Sequence, residues 1–95
     1  ISKFPSIERD LAIIVDDEVL CEKIVNVIKK NGGEFLTGVS LFDVYKGNQI
    51  AENKKSLAFN LVFVSNERTL NVEEIDAIIE TIIKDLKTTI NAELR

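Results

Sequence analysis

Ser56-Leu57-Ala58-Phe59-Asn60-Leu61-Val62-Phe63-Val64 alternates large apolar side chains with smaller or polar ones over its whole length. Successive side chains of an extended chain point to opposite faces, so Leu57, Phe59, Leu61 and Phe63 line one face of a strand. That face belongs to a core. Ser56, Ala58 and Asn60 line the other, a surface suited to water or to the close approach of something flat. A strand of this kind fits an antiparallel sheet covered on one side only.

The flanking segments complete the pattern. Asp10 to Asp16 sets Leu11, Ile13 and Val15 on one face and Ala12 and Ile14 on the other, with no polar interruption, as an inner strand requires. Leu20, Ile24, Val27, Ile28 and Asn31 then recur along one side of a helix that Gly32-Gly33 ends, with Lys29 and Lys30 in its last turn, where the helix dipole favours cations. Phe35 to Lys46 reads as the second strand. Strict alternation back from Tyr45 places Asp43, Leu41 and Val39 outward, so either the open face is partly apolar or a bulge shifts the parity. Asn71 with Glu74 forms a capping box, and Leu70 stands to staple onto Ile75. Ile75, Ile78, Ile79, Ile82, Ile83, Leu86 and Ile90 follow as the apolar stripe of a second helix, and Ala92 to Leu94 remains as a last short strand. The order is β-α-β-β-α-β, an α+β, ferredoxin-like split arrangement with four antiparallel strands and both helices on one face.

Ninety-five residues, 45% of them hydrophobic, suffice for one domain over 1–95 with a single modest core. The lone Cys21, on the first turn of the first helix, forms no internal disulfide, and the absence of histidine removes its usual catalytic and metal-binding companion. A cytosolic, metal-free domain is expected. No stretch approaches the roughly 20 apolar residues of a membrane-spanning helix, and the amino end lacks a signal-peptide layout. Beginning at Ile1 without methionine, the sequence reads as a piece of a longer polypeptide.

The net charge of −4 opposes nucleic-acid binding at first sight, but the charges are segregated. Between residues 71 and 88, Glu73, Glu74, Asp76, Glu80 and Asp85 outweigh Lys84 and Lys87. From Tyr45 to Lys55, Lys46, Lys54 and Lys55 outweigh Glu52. A basic end and an acidic back are expected, with weak RNA binding unless a larger partner supplies more contact.

No nucleophile with a base, metal set or phosphate cradle is present. Gly32-Gly33 follows a helix instead of opening one. Asp16-Asp17-Glu18 reads as charge at a helix start in preference to a calcium cluster. Acylphosphatases share this topology, but their first strand-helix loop cradles phosphate beside a catalytic arginine, and here that loop is acidic and arginine-free.

Tyr45 is the candidate contact. A tyrosine at a strand end can cover a core edge with its hydroxyl wet, or offer a π-face to an unpaired base. Lys46, Lys54 and Lys55 around it are either solvated turn residues or phosphate contacts. Arg9 either faces RNA or pairs with Asp10, and Arg68 reads first as a hydrogen-bonding fork that holds its loop.

Phe4-Pro5, Arg9-Asp10-Leu11-Ala12, Leu41-Phe42-Asp43-Val44-Tyr45, Lys55-Ser56-Leu57-Ala58, Arg68-Thr69-Leu70 and Ala92-Glu93-Leu94-Arg95, in that order and spacing, carry a resemblance over nearly the whole chain. The sequence resembles the ferredoxin-fold anticodon-binding domain that closes the β subunit of bacterial phenylalanyl-tRNA synthetase. The resemblance implies that Tyr45 stacks on the first anticodon base with Ser56 beside it, in a module that binds the tRNA(Phe) anticodon stem-loop. Lys46, Lys54, Lys55, Arg9 and Asn60 complete the expected RNA-binding set. It implies no cofactor here. ATP, magnesium and phenylalanine belong to other parts of a parent enzyme of two α and two β subunits. Asn53 departs from the family's usual glycine, and asparagine is the next residue most tolerant of positive φ. A ferredoxin-like small-molecule regulatory module and a protein-interaction module on the acidic helix are the alternatives. The first is disfavoured by an acidic, glycine-free first loop, ill suited to a carboxylate ligand.

Overall fold

The computed structural model describes residues 5–46, 53–65 and 67–94. Phe4, Gly47, Glu52 and Arg95 lie outside them. The element order is β1 (Ile7–Asp16), α1 (Cys21–Gly32), β2 (Leu36–Tyr45), β3 (Lys54–Phe63), α2 (Val72–Ile90) and β4 (Glu93–Leu94). The four strands form one sheet in the order β2-β3-β1-β4, with every neighbouring pair antiparallel. The expected ferredoxin-like architecture is therefore present, with β1 and β3 as inner strands.

Leu11, Ile13 and Val15 of β1 pair in register with Phe59, Leu57 and Lys55 of β3, which puts the large apolar residues of both strands on one face. Against that face lie Ile24, Val27 and Ile28 of α1 and Ile75, Ile82, Leu86 and Ile90 of α2, all buried in one cluster. Ile78, Ile79 and Ile83, expected in the continuous stripe of α2, are only partly buried on its flank. Phe59 and Phe63 are fully enclosed at 0% exposure, and burial of a side chain of this size contributes on the order of 2–3 kcal/mol.

The start of α2 is as local chemistry dictates. The Glu74 backbone N–H donates to Asn71 Oδ1 at 2.8 Å, while the Asn71 N–H donates to Glu74 Oε2 at 3.1 Å. Leu70 and Ile75, the two halves of the staple, are both buried. Arg68 grips the same carboxylate with both terminal nitrogens, one at 2.7 Å, and its guanidinium lies 5.4 Å from the Phe35 ring centroid. Arg68 is thus a structural fork. It and then the Asn71 N–H hold the Glu74 carboxyl down to about 2.

The two helices are joined by polar bonds as well as by apolar packing. Asn31 of α1 donates to Asp85 of α2 at 2.6 Å, and the Thr89 hydroxyl donates to the other Asp85 oxygen at 2.6 Å. The Thr89 bond and then the Asn31 bond hold the Asp85 carboxyl below the usual carboxylate range. At the end of α1, Gly33 takes φ +71°, which L side chains rarely adopt, and a Cβ on Gly32 would come within 2.7 Å of Leu36 Cβ. The turn into β2 therefore depends on both glycines, for different reasons.

The start of α1 departs from expectation. Its N-cap is Leu20, with no side-chain cap bond, so Asp16-Asp17-Glu18 does not cap the helix. Asp16 and Asp17 are engaged elsewhere, with Lys54 and Lys46. Among the described residues, no helix is long and apolar enough to cross a membrane.

Candidate nucleic-acid interface

The parity of β2 decides what the open face presents. Val39 and Leu41 pair with Leu61 and Phe59 and so share the core face, whereas Asp43 and Tyr45 pair with Ala58 and Ser56 on the open face. One extra residue, Phe42, lies between the two registers, and a second irregularity lies at Thr37. A bulge thus shifts the parity, and Leu41 and Val39 do not point outward. Bulges of this kind suit an edge strand, where they re-aim side chains and blunt the edge against stray pairing. Here the bulge gives Val39 and Leu41 the parity of the helix-covered face, where Val39 packs against the core and Leu41 stays 41% exposed, and gives Tyr45 that of the open face.

Around Tyr45 the open face reads as rows across the strands. Tyr45, Ser56 and Ile14 form one row, Asp43, Ala58 and Ala12 the next, and Ser40, Asn60 and Asp10 a third. Tyr45 is half-buried at the end of its strand. Ser56 retains only 2% exposure because the larger Tyr45 and Ile14 flank it on the same face. Ala58 and Ala12 keep the neighbouring row low, with the Asp43 carboxylate at its β2 end. Asn60 lies further along, donating to Asp10 Oδ1 at 3.1 Å.

The remaining candidates divide. Lys54 extends the Tyr45 end of the open face, paired in register with Asp16, while Lys55 pairs with Val15 and takes the parity of the helix-covered face. Arg9, paired with Leu61, also has that parity, and its guanidinium donates to the Glu8 carbonyl at 2.9 Å and lies 4.0 Å from Asp76 of α2. The geometry therefore brings Tyr45, Ser56 and Lys54 together, with Lys46 one residue beyond Tyr45, and places Lys55 and Arg9 on the other side.

The basic end expected from composition is not bare. Lys46 Nζ lies 2.8 Å from Asp17 Oδ2, and Lys54 Nζ lies 3.2 Å from Asp16 Oδ1. The bond from Lys46 holds the Asp17 carboxyl below the usual carboxylate range. The Asp17 N–H also donates to the Asn53 carbonyl at 2.8 Å, which pins the acidic loop against the β2–β3 connection. Sequence reasoning missed these pairs, because local charge at a helix start was the nearer signal. It also passed over Asp43, whose carboxylate stands on the open face one row from Tyr45, once the bulge is taken into account.

The sequence model of a family described as the ferredoxin-fold anticodon binding domain matches residues 2–95. The chain is 46% identical over 93 residues to the phenylalanine--tRNA ligase beta subunit of Clostridium tetani, covering 98% of this chain and 12% of that protein. It is 48% identical over 95 residues to the subunit of the same name from Haemophilus influenzae, covering 100% of this chain and 12% of that protein. For the Halalkalibacterium halodurans subunit the identity is 45% over 93 residues, again with 12% of the relative covered. The chain thus spans about an eighth of the length of the curated relatives it matches.

Proposed function

The chain belongs to the ferredoxin-fold anticodon-binding domain family, and from that premise we propose that it binds the anticodon stem-loop of phenylalanine tRNA. It does so as one domain, residues 1–95, of a phenylalanine-tRNA ligase β subunit in the cytoplasm. The observation that carries this reading is the placement of Tyr45: at the end of β2, on the face that neither helix covers, paired with Ser56 and one row from the small Ala58 and Ala12. A ring so placed offers its π-face to an unpaired base, and every base has a complementary face, so stacking supplies affinity. The small side chains of Ala58 and Ala12 favour the close approach of a flat base. Lys46 and Lys54 at the same end supply cations for the adjoining phosphates.

In this reading the domain contributes to aminoacylation from a distance. Binding energy at the anticodon orients the tRNA while other parts of the enzyme, with ATP, magnesium and phenylalanine, carry out the chemistry. Its protein partners are the rest of the β subunit and the α subunit, two of each in the assembly. Titrating the chain with an anticodon stem-loop and, separately, with free phenylalanine at low salt tests the proposal. Binding of the stem-loop alone supports it. Binding of phenylalanine without RNA contradicts it and identifies a small-molecule regulatory module.

A further inference from the structure

The acidic β1–α1 loop is built against the lysines and not into the helix that follows it. Leu20 occupies the N-cap of α1 and no side chain of the loop caps that helix. Instead Asp17 reaches Lys46 at 2.8 Å and Asp16 reaches Lys54 at 3.2 Å. The loop is held in place to do so. The Asp17 N–H donates to the Asn53 carbonyl, the Val19 N–H donates to the Asp16 carbonyl at 3.0 Å, and Asp16 is the register partner of Lys54. Both pairs stand at the Tyr45 end of the sheet, where Ile14, Ser56 and Tyr45 form the neighbouring row.

Both pairs are also solvated, with side-chain exposures of 48% and 46% for Lys46 and Asp17 and of 22% and 52% for Lys54 and Asp16. A solvated ion pair is weak enough for a phosphate to displace, yet it taxes every phosphate that does so. The tax falls on the electrostatic, sequence-independent part of RNA binding and leaves stacking untouched.

We propose that Asp16 and Asp17 limit sequence-independent RNA binding by holding Lys54 and Lys46, so that occupancy of the site is decided by stacking on Tyr45. They are positioning residues that act through the lysines, and the inference rests on the RNA-binding reading given above. When a phosphate takes a lysine from an aspartate, one ion pair replaces another and salt weakens both, so the exchange adds little to the salt dependence. A lysine freed of its aspartate instead displays the full counterion release of a phosphate contact.

The test is a titration of the 95-residue chain with two labelled RNAs, a phenylalanine anticodon stem-loop and a loop-scrambled RNA of equal length, over a range of salt. In Asp16→Asn/Asp17→Asn, affinity for the scrambled RNA is expected to rise about two- to tenfold at low salt. The slope of log affinity against log salt should steepen by about 1–2 units, and melting should show the fold retained. Asp17→Glu, which keeps the charge, should behave as the parent, and adding Lys46→Gln to Asp17→Asn should cancel the gain of Asp17→Asn. An unchanged slope in the double aspartate variant, or a gain that survives Lys46→Gln, overturns the inference. A parent that binds the stem-loop through Tyr45 but ignores both aspartates overturns this inference alone. If neither the parent nor the aspartate variants bind either RNA, the RNA-binding reading itself fails.

Discussion

Tyr45 and Ser56 are direct cross-strand partners, and they are so because one residue, Phe42, is bulged out of β2 three positions earlier. Were Phe42 instead to take a regular place in the ladder, the alternation that sends Val39 and Leu41 toward Leu61 and Phe59 would turn Tyr45 toward the helices as well. The bulge is therefore what separates the core half of β2 from its outward-facing half.

Deleting Phe42 tests this directly. With the β2–β3 pairing kept at Tyr45 and Ser56, the deletion joins Leu41 directly to Asp43, so that Leu41 still opposes Phe59, Val39 still opposes Leu61 and every side chain keeps its face. The fold should be retained, with stability within about 1 kcal/mol of the parent. A loss of several kcal/mol in chemical denaturation would show that Phe42 is not the residue left out of the ladder.

Phe59→Ala addresses the core itself. Phe59 has 0% exposure and faces both helices, so truncation leaves a cavity and is expected to cost about 3–5 kcal/mol. Chemical denaturation of the two proteins side by side measures it, and equal midpoints would contradict the packing described.

The Arg68–Glu74–Asn71 arrangement predicts a specific pH response. Glu74 is lowered from 4.5 to about 2 in the folded chain, by Arg68 first and by the Asn71 N–H second. A carboxyl depressed on folding contributes stability that is complete above its unfolded value, and it is lost as pH falls through the folded value. The parent should therefore lose melting temperature between about pH 4.5 and pH 2 more steeply than Glu74→Gln, which keeps the shape of the capping box but not the charge. Superimposable melting profiles for the two proteins over that range would contradict the pairing.

The elements that were legible in the sequence are those whose cause is local. Asn71 and Glu74 are three residues apart and form the capping box that their spacing requires. The uninterrupted alternation from Ser56 to Phe63 produced the inner strand it announces. What escaped was set by register. The chemistry of β2 suits either parity, since Val39, Leu41, Asp43 and Tyr45 mix apolar and polar residues, and only pairing with β3 reveals the extra residue. The Lys46–Asp17 and Lys54–Asp16 bonds span 29 and 38 residues of sequence. Nothing near Asp16-Asp17-Glu18 announces those partners, whereas a following helix does. Arg9 is a similar case: its pairing with Leu61 sends it toward α2 and away from Tyr45.

The measurement that bears most directly on the central claim is the affinity of an anticodon stem-loop for the parent, Tyr45→Phe and Tyr45→Ala, with melting temperature recorded for each. If the ring stacks a base, Tyr45→Ala loses about 1–3 kcal/mol of binding while Tyr45→Phe, which keeps the π-face, loses much less, and stability hardly changes in either. If Tyr45→Ala instead melts several degrees lower yet binds the stem-loop as tightly as the parent, Tyr45 is part of the scaffold and the account of this face as an RNA-binding surface is contradicted.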